Sequence, residues 1–145
     1  MKKIDRKELQ NKYEFLAPTD IREGLMAFGF EVGDGWLPIL EELFEKIDKV
    51  LKTDKVSIDY FKVTQVKEKF GGLRVYYYGG NKKIEKLVEE ADQKSLKTCE
   101  TCGKSSATQN DDGWITTLCK QCRKNRNKRL AKIKIKLIKE GKIND

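Results

Sequence analysis

The sequence predicts an α+β protein: a small helix and β-hairpin body over residues 1–97, then a four-cysteine treble-clef zinc finger with a basic helix over 98–145. Three observations predict it. All four cysteines fall in 99–122, as two C-x₂-C pairs separated by 16 residues, the spacing of a four-ligand zinc site. Apolar residues recur at helical spacing in 36–51 and alternate in 73–78. The net charge of +8 lies entirely in the last 23 residues, where ten Lys/Arg stand against two Asp/Glu; residues 1–98 carry 19 against 18.

Taken in order, residues 4–16 predict a short helix with Ile4, Leu9, Tyr13 and Leu16 on one side, stopped by Pro18. Thr19-Asp20 offers an N-cap for a second short helix carrying Ile21, Leu25 and Phe28. The glycines of EVGDG break that pattern as a flexible turn. WLPILEELFEKIDKVL then predicts the core helix, with Pro38 tolerated in its first turn, and glutamates early and lysines late to suit the dipole. Val56, Ile58 and Tyr60 alternate as a strand, and Phe61 and Val63 shift phase, which predicts a bulge or a break. Gly71-Gly72 reads as a hairpin turn, followed by a strand with Leu73, Val75 and Tyr77 on one face and Arg74, Tyr76 and Tyr78 on the other. A helix over 81–97 turns Ile84, Leu87, Val88 and Ala91 inward and leads into the cysteines.

Composition narrows the function classes. The chain has 145 residues, 38% hydrophobic and 37% charged, with no run long enough to span a bilayer and no apolar h-region at its start. These features predict a cytoplasmic protein, in which C-x₂-C pairs hold metal, with two disulfides or four unrelated thiols as the competing arrangements. Histidine is absent, so the commonest general base is missing, and no serine sits in a nucleophile elbow. The chain is expected not to be an enzyme.

The two pairs differ. Cys102 precedes Gly103, as in a zinc knuckle, whereas Cys119 and Cys122 lead into a helix-compatible stretch. Knuckle, hairpin, then a pair at a helix start is the treble-clef order, with Asp111-Asp112-Gly113 as the turn and Trp114 and Ile115 packing over the loop. Cys99, Cys102, Cys119 and Cys122 would hold one structural Zn2+, since four protein ligands leave no open position for water. Lys97, Lys104, Lys120 and Arg123 would offset its thiolate charge.

Beyond Cys122, the basic residues Arg123, Lys124, Arg126, Lys128, Arg129 and Lys132 form a phosphate-contacting patch without aromatics, suited to gripping a nucleic-acid backbone. Leu130, Ile133, Leu137 and Ile138 make an apolar stripe if the segment is helical, although KIKIKLIK also fits a strand. A merely solvated helix, an acidic protein partner and an anionic membrane are the alternatives. A second candidate surface is the hairpin cluster of Lys67, Lys69, Arg74, Tyr76 and Tyr78, able to stack bases or simply to form the outer face of a sheet.

GDGW at 33–36, QVKEKFGGLRVYY at 65–77 and the CxxCG knuckle followed by Gly-Trp resemble a group of small, uncharacterised bacterial and bacteriophage zinc-binding proteins. The resemblance covers about residues 30–122 and implies this architecture and a phage-associated source, but no known activity. The metal segment also resembles the zinc finger of DksA/TraR-type regulators, without their long acidic-tipped coiled coil. The expected function is a non-enzymatic, zinc-stabilised protein that contacts nucleic acid through its basic C-terminal helix. The alternative is a phage-associated module that binds a host protein complex.

Overall fold

The computed structural model describes residues 3–18, 25–110 and 113–144. Its elements run α1 (Arg6–Lys12), β1 (Phe30–Glu31), α2 (Leu37–Thr53), β2 (Phe61–Lys69), β3 (Gly72–Gly79), α3 (Lys82–Ser95), β4 (Thr108–Gln109), β5 (Thr117–Leu118) and α4 (Lys120–Lys139). The mixed α+β class predicted from sequence is the class observed.

The core is built on α2, whose helical apolar spacing turns Leu37, Ile39, Leu40, Leu43, Phe44, Ile47 and Leu51 into one buried face. Each such side chain contributes about 1.5–3 kcal/mol relative to exposure. Helix α3 packs beside it, burying Ile84 and Ala91. Both cover one face of a three-stranded sheet of order β1-β2-β3, with β1 parallel and β3 antiparallel to β2. The N-terminal segment closes the remaining side of the core. Phe15 stacks on Tyr13 at 5.1 Å and meets the edges of Phe61 at 5.3 Å and Phe44 at 6.0 Å.

Several local expectations shift. The opening helix ends at Lys12 and a separate 3-10 turn, Glu14–Leu16, delivers Phe15 and Leu16 to the core. Residues 19–24, where the second helix was to begin, lie outside the described residues. Its far end is a 3-10 turn, Met26–Phe28, that buries Met26 and leaves Phe28 exposed, because a three-residue turn brings a different side chain inward than α spacing does. Part of the supposed flexible turn after it is a strand, since Phe30 and Glu31 pair with Val66 and Lys67. Val56, Ile58 and Tyr60 do not form a strand: residues 58–60 make a 3-10 turn, and pairing starts at Phe61. The register shifts between Val63 and Gln65, making Thr64 the extra residue of the bulge. The hairpin turn is Phe70-Gly71, one residue earlier than Gly71-Gly72, because Lys69 and Gly72 are already paired. The alternation of β3 matches expectation, with Leu73 and Val75 buried and Tyr76 and Tyr78 exposed.

Candidate metal centre and the basic helix it starts

After α3 the chain makes a turn from Leu96 to Thr98 and enters the first cysteine pair. Cys99 N–H donates to Lys104 O at 2.8 Å and Gly103 N–H to Cys99 O at 2.9 Å, closing a knuckle around the sulfurs. Gly103 takes φ +84°, a region closed to most side chains. Strands β4 and β5 form a two-stranded hairpin, and Cys119 then caps α4, its sulfur accepting the N–H of Cys122 at 3.4 Å. The order is knuckle, hairpin, helix.

All four sulfurs lie within 4.8 Å of one another. Cys102 and Cys119 sulfurs are 3.7 Å apart, far beyond a disulfide bond. The edge of a tetrahedron with metal–sulfur bonds of about 2.3 Å is about 3.8 Å, so the spacing is that of ligands around one ion. Cys99 and Cys119 are buried, Cys122 is half-buried and Cys102 is exposed. Burial raises the Cys99 thiol, but N–H groups of Cys102, Cys119 and Thr101 outweigh it and bring it down to about 6. Cys119 is lowered by the Cys122 N–H, whereas burial and the neighbouring sulfurs push Cys122 up to about 12. The four side chains can hold a metal ion.

The body is shaped to receive this knuckle. A Cβ on Gly35 would sit 2.1 Å from Cys99 O, and one on Gly33 would sit 2.4 Å from Glu100 O, so two backbones meet where no side chain fits. Gly35 N–H donates to Glu100 O at 2.8 Å, Gly33 N–H to the Glu100 carboxylate at 2.9 Å, and the Trp36 indole N–H to Thr98 O at 2.8 Å. Asp34, between the two glycines, accepts from Arg6, which holds its carboxyl below the usual range. Burial raises the Glu100 carboxyl against the Gly33 N–H that lowers it. The hairpin tip makes a second seat. Thr117, fully buried, donates its hydroxyl to Gly71 O, while within the body Ser95 Oγ of α3 accepts the Leu73 N–H at 2.9 Å and fixes the strand beside the tip. The GDGW and KFGGL blocks are therefore where the body grips the cysteine-bearing segment.

The residues predicted from sequence for binding are distributed unevenly. The 130–140 segment is helix, not strand, and α4 runs for 20 residues with none buried. Ten of those residues are Lys or Arg and none is acidic. Lys124, Lys128, Arg129 and Lys132 are exposed and Arg126 is half-buried. Arg123 is held inward: its guanidinium donates to Thr108 O at 2.6 Å, Thr116 O at 3.1 Å and Thr116 Oγ1 at 3.0 Å, tying the hairpin to the helix start. Lys120, Lys124 and Lys128 line a shallow groove facing Ser106 and Thr108. The apolar stripe expected along α4 does not bury a face, and Leu130, Ile133 and Ile135 are exposed.

On the hairpin, Lys67, Arg74, Tyr76 and Tyr78 share the face opposite the buried Leu73 and Val75, with Lys69 at its end. Arg74 reaches round the edge strand to Asp92 of α3 at 2.8 Å. Trp114 does not pack over the metal loop: it is 72% exposed, whereas Trp36 is fully buried. Residues 111 and 112 of the expected turn lie outside the described residues. Sequence reasoning missed Glu100, Thr117 and Trp36 as clamps and Phe70 as an exposed ring. Only Phe70 carried a local signal, a bulky residue directly before Gly-Gly.

Among the described residues no helix is long and apolar enough to cross a membrane. A scan against protein-family models, a search of curated proteins and a search of solved structures each found no match to this chain.

Proposed function

We propose that this is a non-enzymatic binding protein in which one structural Zn2+, held by Cys99, Cys102, Cys119 and Cys122 as a treble clef, fixes the start of a helix that grips the phosphate backbone of a nucleic acid. The observation that carries the reading is α4, a 20-residue helix with ten cations, no acid and no buried residue. A helix that stabilises its own fold buries a face; this one presents cations instead. Zinc suits the site because it favours four thiolates in tetrahedral geometry and brings no redox chemistry. Lys124, Lys128 and Lys132 lie at i, i+4 and i+8, spaced along about 12 Å of helix, as required to follow successive phosphates. A chain without histidine, whose cysteines form a single cluster, lacks the usual general base and nucleophile. The phage-associated source implied by the sequence resemblance fits a small, basic, cytoplasmic protein.

The test is binding of labelled DNA and RNA, as single strands and duplexes, over a range of salt. Log affinity should fall with log salt by about 0.7–0.9 per phosphate neutralised, and Lys124→Gln/Lys128→Gln/Lys132→Gln should lower that slope by about two to three. Salt-independent binding, or none at low salt, sinks the reading. The exposed Leu130, Ile133 and Ile135 favour a second reading, an acidic protein partner such as a host complex. It predicts a stoichiometric protein complex that survives nuclease treatment and is lost when these three residues become Ser.

A further inference from the structure

The tip of the β2–β3 hairpin departs from the chemistry its geometry asks for. Phe70 and Gly71 both have positive φ, +53° and +81°, the pattern of a two-residue type I′ turn. Asn, Asp or Gly is favoured at the first of these positions, and a bulky residue there is strained. Nothing in the packing offsets the strain, since the Phe70 ring is 69% exposed, with Lys69 Nζ 5.6 Å from its centre. An aromatic ring held at a conformational cost and left in water is a mark of function rather than folding.

Other exposed rings lie further along the same hairpin and on the neighbouring loop. Tyr76 and Tyr78 project from the outer face of β3, two residues and thus about 7 Å apart. A Cβ on Gly71 would sit 3.0 Å from Ile115 Cγ2, so the tip that carries Phe70 touches the loop that carries Trp114. Thr117 bonds Gly71, and Arg123 of α4 bonds the adjacent Thr116, which ties tip, loop and the start of the basic helix together by consecutive contacts. Lys67 and Lys69 supply cations beside the rings, and Glu31, the acid on that face, takes a hydrogen bond from Gln65. We propose that this surface is a stacking platform for single-stranded nucleic acid, whose unpaired bases lie on Tyr76, Tyr78, Phe70 and Trp114 while the lysines hold the backbone. The proposal rests on the nucleic-acid reading of α4 and adds that the strand must be single, because bases in a duplex cannot reach these rings.

The chain itself supplies the probe. Of its two tryptophans Trp36 is sealed in the core, so emission that responds to a ligand comes from Trp114. The zinc-loaded full chain should be titrated with oligo-dT, oligo-U and a duplex of equal length, following tryptophan quenching and the anisotropy of labelled oligonucleotide. Quenching by either single strand, and not by the duplex, is expected. Tyr76→Thr/Tyr78→Thr keeps strand propensity, and Phe70→Asn suits the turn, so both variants fold. Each should lose about ten-fold or more in single-strand affinity with duplex affinity unchanged. Equal binding of single strand and duplex, with both variants binding as the parent does, overturns the platform and leaves the grip of α4 standing. Binding of neither overturns both.

Discussion

The two longest helices of the molecule, α2 with 17 residues and α4 with 20, follow opposite rules. In α2 the apolar residues converge on one face, which is buried. Its charges form exposed i,i+4 pairs such as Glu42–Lys46 and Asp48–Lys52. In α4 the apolar residues divide between two sides: Leu130, Ile133 and Leu137 recur on one, and Ala131, Ile135 and Ile138 on another. Cations occupy the arcs between them. The first helix is held by what it packs against, and the second by what caps it, the cysteine cluster at its first turn and the clamp of Arg123. Along its length α4 buries no residue.

Loss of the ion proposed for the four-cysteine site would break this contrast most severely. Metal binding in small thiolate modules is worth about 10–16 kcal/mol, whereas an isolated helix of this length with ten like charges is marginal in water. Chelation, or Cys99→Ser, should remove the far-ultraviolet helical signal of α4 while the transition of the body survives. Full helicity after metal loss would show that α4 does not depend on its cap. Metal affinity should also fall as pH is lowered, since protons compete for the four sulfurs. Core truncation comes next. Phe44→Ala in α2 should cost about 3–5 kcal/mol in urea denaturation, and Ile133→Ala in α4 less than about 0.5; comparable losses would mean that α4 packs in solution. The seat between body and knuckle is intermediate in size. Glu100→Ala leaves the Gly33 N–H unpaired and should cost about 1–3 kcal/mol. Glu100→Gln keeps an acceptor, removes a partly buried charge and should be near neutral, so an equal loss in both would refute the role given to that hydrogen bond. The smallest effect is a gain: Phe70→Asn should stabilise the fold by about 1 kcal/mol by relieving the turn, and a loss would mean that the ring contributes packing.

The cysteine cluster and the core helix were legible because their signals are local and periodic. C-x₂-C spacing constrains ligand geometry directly, and a helical period sustained along the whole of α2 leaves no competing register. The helical state of 130–139 was not legible, because KIKIKLIK satisfies both periods. It is continuity with the capped first turn at Cys119–Cys122 that selects helix. The strand at Phe30–Glu31 is too short to show a period and exists only because β2 offers an edge. Phe28, Tyr60 and Trp114 look like core residues by composition and are exposed, since the short turns that carry them dictate direction regardless of hydrophobicity.

By itself the sequence determined the α+β class, the four-cysteine group, the hairpin and the confinement of positive charge to the last 23 residues, for these are properties of spacing and composition. Tertiary structure alone decided that GDGW and KFGGL are seats for the knuckle, that Arg123 is held inward by the hairpin, and that Phe70 and Trp114 are left exposed. The seats depend on contacts between residues 46 to 67 positions apart, and no local pattern encodes which backbone will approach which.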